Sequence, residues 1–283
     1  MVRQDLREAG KAIRMIVCDM DGTLLNSEKQ ISPGNRQAIN RAREKGIYLS
    51  ICSGRIPAML PAYSLDLDIK GPLIAANGAS VIDVQSETVH YQKPIERSAC
   101  QALIDFAAPA ELDLCILTDQ GGWFSENSQR VQAFILYNEI AQKSGFSPIP
   151  LTYFAHGTQP ELGGNILKIL VYEIHPGDMA LARTFLDDCP TLDYTSSDEG
   201  LLDICAPGVS KGNGLLRMMD LLGFSKEQVC VFGDFENDIS MLKEAGLSFA
   251  MGNGTEGAKA AAMVETLSND QDGVAAAIET YIL

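Results

Sequence analysis

The segment IVCDMDGTLLNSE, Ile16–Glu28, decides how this chain is interpreted. A hydrophobic run leads directly into Asp19 and Asp21, and Gly22 follows them. Two carboxylates separated by one residue repel each other when both are charged, and burial makes each charge costlier still. The arrangement therefore indicates chemistry that uses both carboxylates.

Further short apolar segments predict the strands of a parallel sheet. The segments IYLSICSGR, PLIAANGA, QVCVFGD and LSFAMGNG alternate with helix-like segments such as PGNRQAINRAREKG. Continuous apolar strands joined by helices are typical of an α/β fold whose sheet is covered on both faces.

The pattern changes after about residue 82. SVIDVQSETVHYQ predicts a hairpin, and LDLCILTDQGGWF and NILKILVYE predict strands among longer helical stretches, which is closer to an α+β arrangement. After the segment LLDICAPGVSKG, predicted strands again alternate with predicted helices. We therefore expect an α/β core formed by residues 1–82 and 195–283, with a smaller domain, residues 83–194, inserted between its halves.

Four short polar segments are expected to meet in one crevice. They are DMDGT, SGR, SKG and GDFEND, which begin at Asp19, Ser53, Ser210 and Gly233. Each lies just past a predicted strand or at the start of a helix. Ligands of open α/β sheets bind at the carboxyl ends of the strands, so these distant segments should line one site.

The acidic residues of these segments favour a metal site. Asp19, Asp234 and Asp238 bring clustered negative charge, which a hard divalent cation makes tolerable. Mg²⁺ prefers oxygen ligands and usually keeps several waters and a substrate phosphate.

The remaining groups favour a phosphate. Ser53, the backbone amides around Gly54, and Lys211 bring hydrogen-bond donors and a positive charge that suit phosphate oxygens. A metal that faces an anion-binding loop indicates phosphoryl transfer.

Three residues of the first segment, Asp19, Asp21 and Gly22, then have roles in the reaction. Asp19 is the natural nucleophile, because a carboxylate with an ordinary pKa of about 3.9 is ionised at neutral pH. Attack on phosphorus gives an aspartyl phosphate, which water hydrolyses. Asp21 is expected to protonate the leaving alcohol and then to deprotonate the attacking water. Neighbouring carboxylates would raise its pKa and a metal would lower it. Gly22 allows a sharp turn beneath the phosphate.

Taken together, these motifs resemble the haloacid dehalogenase superfamily of phosphohydrolases, most closely its Cof-type branch. The resemblance is carried by all four motifs of that family and spans most of the core. The matching residues are Asp19 and Asp21, Ser53, Lys211, and Asp234 with Asn237 and Asp238. Two further segments, NGA from Asn77 and MGNG from Met251, are also similar to that branch.

The resemblance implies a Rossmann-like core and a cap domain of the C2 type. It also implies that Mg²⁺ is held by Asp19, the backbone carbonyl of Asp21, and Asp234, while Asp238 orients the ligands. Asn77 and Asn237 would help to place the phosphate or the motif lysine. The 157 residues between Ser53 and Lys211 leave room for the cap.

The composition of the chain indicates which classes of binding partner and which cellular location to expect. The formal net charge of −15 disfavours nucleic acid and anionic membranes, although it allows a small anionic substrate at a locally positive site. Seven cysteines without paired spacing suggest reduced thiols. The N-terminal segment lacks the apolar core of a signal peptide, and no run approaches the ~20 residues of a membrane span. A cytoplasmic location is expected, and the oligomeric state is left open.

The leading hypothesis is a Mg²⁺-dependent phosphatase of small phosphorylated metabolites, such as sugar phosphates. A phosphotransferase or phosphomutase would use the same motifs, and a catalytically silent protein could bind a phosphorylated ligand. In the inserted domain, Trp123 is expected to be a packed strand aromatic. Lys168 is expected to face solvent from its strand.

Overall fold

The structure is a computed structural model that describes residues 3–283. Its strands are β1 Met15–Cys18, β2 Tyr48–Ile51, β3 Leu73–Ala75, β4 Ser80–Asp83, β5 Thr88–Gln92, β6 Asp113–Thr118, β7 Gly122–Ser125, β8 Leu151–Phe154, β9 Ile166–Tyr172, β10 Asp193–Asp198, β11 Leu201–Cys205, β12 Val229–Gly233, β13 Leu247–Ala250 and β14 Val264–Glu265. Its helices are α1 Arg3–Lys11, α2 Pro33–Glu44, α3 Pro61–Asp66, α4 Arg97–Ala107, α5 Val131–Lys143, α6 Asp178–Asp187, α7 Lys211–Leu222, α8 Ile239–Glu244, α9 Glu256–Ala261 and α10 Gly273–Ala277.

The first sheet is parallel throughout and has the order β14-β13-β12-β1-β2. Strand β1 lies in the interior, between β12 and β2. Strands β12 to β14 come from the last quarter of the chain, so the two ends of the sequence build one sheet. This arrangement confirms the α/β fold with a parallel-sheet core.

Both faces of β1 are buried, which explains its unbroken apolar sequence. Side chains alternate between the faces of a strand. Ile16 and Cys18 join the cluster that includes α1, α2 and α10. Met15 and Val17 join the cluster that includes α7, α8 and α9. Each large apolar side chain buried in this way contributes about 1.5–3 kcal/mol.

The third predicted strand of the core, in the segment PLIAANGA, is not one of the five strands of the parallel sheet. Strand β3 pairs antiparallel with β4, and β4 with β5, in a separate three-stranded sheet. A parallel bridge between Ile74 and Cys52 connects β3 to the segment that follows β2. The antiparallel pairing follows from a tight turn, because Ala76, Asn77 and Gly78 all have positive φ and reverse the chain directly after β3.

The other large sheet has six strands in the order β10-β11-β9-β6-β7-β8. It is antiparallel except for the pair β7 and β8. Trp123 lies on β7, is partly buried and packs against the core, as expected for a strand aromatic. Helices α4 and α6 meet through stacked Phe106 and Phe185, whose ring centroids are 4.8 Å apart.

The strands of this sheet are relevant to the boundaries of the inserted domain. The range predicted from the sequence, residues 83–194, remains a prediction. Strands β10 and β11 belong to the six-stranded sheet and carry it to Cys205, beyond residue 195. Strand β5, which follows residue 83, pairs with β4 instead. We propose that the chain enters the inserted domain after β5 and returns to the core near Ala206.

Among the described residues, no helix combines the length and apolarity needed to cross a membrane.

Candidate active site

The carboxyl edge of the parallel sheet collects the polar segments. Asp19 directly follows β1, Ser53 comes two residues after β2, and Asp234 directly follows β12. Lys211 is the first residue of α7, whose N-cap Ser210 accepts a hydrogen bond from the backbone N–H of Asn213 at 3.1 Å. The cap anchors the start of this helix and thereby places the lysine.

A tight turn after β1 brings the first segment onto Asp234. The backbone N–H of Leu25 donates to the Met20 carbonyl at 2.8 Å, which closes the turn. Gly22 has a φ of +82°, and a Cβ at this position would lie 2.8 Å from Cγ of Asp234. Thr23 Oγ1 donates to Asp234 Oδ1 at 2.5 Å. Only glycine therefore allows this approach of the turn to Asp234.

Lys211 joins two carboxylates in the interior. Its Nζ lies 2.5 Å from Asp19 Oδ1 and 2.6 Å from Asp238 Oδ1, and its side chain is fully buried. The second oxygen of Asp238 accepts hydrogen bonds from the backbone N–H groups of Asp234, at 2.8 Å, and Phe235, at 3.1 Å. Both oxygens of Asp238 are therefore engaged by the protein.

The donor set suits a divalent cation. Asp19, Asp234 and Asp238 are buried, and each offers a carboxylate oxygen within 4.8 Å of the others. They face one ammonium group, that of Lys211, so two negative charges remain uncompensated. Burial, with the neighbouring carboxylates, raises the pKa of Asp19 to about 7 and that of Asp234 to about 8. A bound cation would oppose both shifts, because its positive charge favours the ionised carboxylates.

Asp21 lies beside two cations that the sequence did not predict as site residues. Arg55 donates from Nε to Asp21 Oδ2 at 2.9 Å and from a terminal nitrogen to Oδ1 at 3.0 Å. Lys29 Nζ donates to Asp21 Oδ1 at 2.9 Å. Burial opposes ionisation of Asp21, but Arg55 and Lys29 outweigh it and lower its pKa to about 2. These two cations therefore favour the ionised form of the Asp21 carboxylate.

The SGR segment and the NGA segment lie side by side. The Asn77 backbone N–H donates to the Ser53 carbonyl at 3.0 Å. Asn237 Nδ2 donates to Asn77 Oδ1 at 3.1 Å. Ser53 is buried, and its Oγ accepts the backbone N–H of Arg55 at 3.2 Å. The structure thus brings the predicted phosphate-binding residues together with Asn77.

Lys168 does not face solvent, so this expectation was wrong. It lies on β9 and is 4% exposed, and it forms an ion pair with Asp203 of β11, which is 1% exposed. Lys168 also donates to the Gly54 carbonyl at 3.0 Å, and Asp203 accepts from Asn77 Nδ2 at 3.2 Å. The pair therefore links the six-stranded sheet to the SGR and NGA segments.

A signal for this pair was present in the sequence. The β9 segment ILKILVY and the β11 segment LLDIC each hold a single charge in an otherwise apolar run. Runs that are apolar at consecutive positions indicate burial on both faces of a strand. A lone charge in such a run needs a buried partner of opposite sign, which Lys168 and Asp203 provide for each other.

These groups surround a cavity of about 300 Å³. Its floor includes Asp19, Asp21, Ser53 and Gly54, and its upper wall comes from α5 and the strands of the six-stranded sheet. At about 300 Å³ the cavity is at the small end of the range for ligand sites. The arrangement can enclose a small anionic molecule above Asp19.

Comparisons with known proteins agree with the fold and the motifs. A family model of haloacid dehalogenase-like hydrolases matches residues 16–278. The chain is 31% identical to 5-amino-6-(5-phospho-D-ribitylamino)uracil phosphatase YwtE of Bacillus subtilis, over 95% of this chain and 98% of that protein. It is 28% identical to pyridoxal phosphate phosphatase YbhA of Escherichia coli, over 95% and 99% of the two chains.

A solved structure gives the same result. The crystal structure of a haloacid dehalogenase-like hydrolase from Bacteroides thetaiotaomicron has a TM-score of 0.77 and 28% identity, and the match covers 94% of this chain and 98% of that one. The chain therefore belongs to the haloacid dehalogenase-like hydrolases, as its motifs predict, and it is a phosphatase of that family.

Proposed function

We propose that this protein is a Mg²⁺-dependent phosphatase that hydrolyses small phosphorylated metabolites through an aspartyl phosphate on Asp19. One observation carries the proposal, namely the buried Asp19 carboxylate, with Lys211 at 2.5 Å and Asp234 beside it, beneath a small cavity. A nucleophile, a cation for the phosphate and a metal ligand are thus placed together.

Asp19 and Asp234 are the proposed Mg²⁺ ligands, with the backbone carbonyl of Asp21. Asp238 orients the site, because Lys211 and two backbone amides already occupy its oxygens. When bound, Mg²⁺ neutralises charge on the phosphate and on the carboxylates. Lys211 keeps its proton, since Asp19 and Asp238 raise its pKa against the effect of burial.

The chain's own residues supply the rest of the reaction. Lys211, the hydroxyl of Ser53 and the backbone N–H of Gly54 are proposed to bind the phosphate oxygens, and Asn237 supports them. The carboxylate of Asp19 then attacks phosphorus in line with the leaving oxygen. Binding groups that are already in place require little rearrangement during the reaction.

Asp21 is proposed to move the protons. Once it has given its proton to the leaving alcohol, the ionised carboxylate of Asp21 accepts a proton from the water that attacks the aspartyl phosphate. In the absence of substrate, Arg55 and Lys29 bind this carboxylate. Its earlier role as proton donor to the leaving alcohol requires Arg55 and Lys29 to release it, so that its pKa rises and the carboxylate takes up a proton from solvent before the alcohol leaves. We propose that the incoming phosphate, which is itself an anion, draws these two cations away.

The substrate is proposed to be small. A cavity of about 300 Å³ holds a phosphate with a compact leaving group. The relatives named for 5-amino-6-(5-phospho-D-ribitylamino)uracil and for pyridoxal phosphate suggest compounds for a first panel, together with sugar phosphates.

The test is phosphate release from this panel and from p-nitrophenyl phosphate, with Mg²⁺ and with EDTA. We expect release only with the metal, and its loss in Asp19→Asn. A full rate in EDTA would contradict the metal requirement, and no release from any compound would contradict the proposed hydrolysis.

A further inference from the structure

Arg130 lines the cavity that Asp19, Ser53 and Gly54 also line. It directly precedes α5. The buried carboxylate of Asp113 accepts the backbone N–H groups of Gln129, at 2.9 Å, and Arg130, at 3.4 Å. The backbone of Arg130 is thus anchored, while its guanidinium is free of this contact.

The charge of Arg130 has no ion-pair partner among the residues that the structure describes. The other cations that line the cavity are paired, Lys29 and Arg55 with Asp21, and Lys168 with Asp203. Arg130 forms no ion pair with any carboxylate of residues 3–283, and its Nε is buried without a hydrogen-bond partner. A buried donor without a partner is unfavourable, so the guanidinium of Arg130 gains free energy if it turns to donate to a ligand in the cavity.

Apolar and polar side chains share the lining of the cavity. Leu117, Phe134 and Ile140 are apolar and offer no hydrogen bond to a substrate. Ser197 and Asp198 of β10 also line the cavity, and the carboxylate of Asp198 does not attract an anion. A second anionic group in the cavity is therefore left with Arg130 as the lining cation that has no ion pair to the described residues.

Arginine matches planar and tetrahedral anions with two parallel N–H donors. We propose that Arg130 determines specificity by binding a second anionic group, a carboxylate or a phosphate, on the leaving group of the substrate. The preferred substrates are thus phosphate monoesters that carry two separate anionic groups. The reacting phosphate lies beside Asp19 and Lys211, and the second group binds Arg130. This inference rests on the proposed phosphatase function.

Matched substrates test the proposal. Glycerol 3-phosphate and 3-phosphoglycerate differ in a carboxylate, and glucose 6-phosphate is compared with 6-phosphogluconate and with glucose 1,6-bisphosphate. The variants are Arg130→Met, Arg130→Lys, and Lys143→Met, which changes an exposed cation at the other end of α5. The readout is kcat/KM for each compound.

We expect the wild type and Lys143→Met to favour a member of a series that carries a second anionic group. Arg130→Met should lower kcat/KM roughly 10- to 100-fold for that member only, and Arg130→Lys should recover part of the loss. Comparison of 6-phosphogluconate with glucose 1,6-bisphosphate shows whether Arg130 binds a carboxylate or a second phosphate. Equal losses on members with and without the second anionic group, or no preference in the wild type, would overturn the proposal.

A binding measurement separates this inference from the proposed function. Calorimetric titration of Asp19→Asn with the same compounds, in Mg²⁺, requires no turnover. Tighter binding of the member with the second anionic group, if it is lost in Asp19→Asn/Arg130→Met, supports the role of Arg130 even if no compound is hydrolysed. Equal affinity for both members overturns it.

Discussion

The buried pair of Lys168 and Asp203 is expected to give a large stability effect on a single substitution. Lys168→Met removes the ammonium and leaves the carboxylate of Asp203, 1% exposed, without a countercharge. Asn77 and Ser197 still donate to this carboxylate, at 3.2 Å and 2.5 Å, but they are neutral. Breaking a buried ion pair in this way costs about 3–5 kcal/mol of the free energy of unfolding.

Two further variants identify the cause. Lys168→Met/Asp203→Asn removes both charges and keeps an oxygen at position 203 that can accept hydrogen bonds, so its cost should be well below that of the single variant. Arg41→Met breaks an exposed pair, in which the side chains of Arg41 and Glu279 are 50% and 38% exposed. Its cost should be about 0–1 kcal/mol.

The assay is urea unfolding followed by circular dichroism. The free energy of unfolding is extrapolated from the midpoint and the slope, and an unchanged slope assigns the difference to stability. If Lys168→Met costs no more than Arg41→Met, the pair is not isolated from water. A double variant as unstable as the single one would show that loss of the lysine contacts, and not the unpaired charge, is responsible.

Further predictions concern the turn, the protons and the acidic cluster. Gly22→Ala should lower activity and stability, because its Cβ meets Asp234, whereas Gly46→Ala, with a φ of +80° in open space, should cost only about 1 kcal/mol in thermal unfolding. Asp21→Asn should slow phosphate release roughly 100-fold or more and let a phosphoryl-enzyme accumulate, as seen by acid quenching. In EDTA, stability should fall as pH rises from about 4 to 8, because native Asp19 and Asp234, with pKa values of about 7 and 8, bind more protons than the unfolded chain. Added Mg²⁺ should flatten this slope, which is read from melting temperatures.

Each of these results has a clear contrary outcome. Equal behaviour of the two glycine variants would mean that the turn tolerates a Cβ near Asp234. Normal phosphate release by Asp21→Asn would remove the proposed acid and base. Melting temperatures in EDTA that rise with pH across this range would contradict the raised pKa values of the cluster.

The core of the site could be predicted because its residues follow strands of one parallel sheet. Asp19 and Asp234 follow neighbouring strands, so their proximity results from the strand order once the sheet is inferred. Lys211, the first residue of α7, points to the same edge. Local patterns of apolar and polar residues contain all of this information.

The groups contributed by the six-stranded sheet could not be placed in the same way. Arg130, at the start of α5, and Lys168, on β9, reach the cavity through the packing of these elements over the parallel sheet, which no local pattern specifies. The contacts of Arg55 and Lys29 with Asp21 depend on side-chain directions in two loops. The position of β3 also depended on the turn at Asn77, where left-handed backbone was not evident from the apolar run.

The most direct test of the central claim is detection of the phosphoryl group on Asp19. The enzyme is mixed with Mg²⁺ and a substrate that it hydrolyses, quenched in acid within one turnover, digested, and mapped by mass spectrometry. We predict a phosphoryl adduct on the peptide that contains Asp19, more abundant in Asp21→Asn and absent in Asp19→Asn. Phosphate release without this adduct, or an adduct on another residue, would contradict the account.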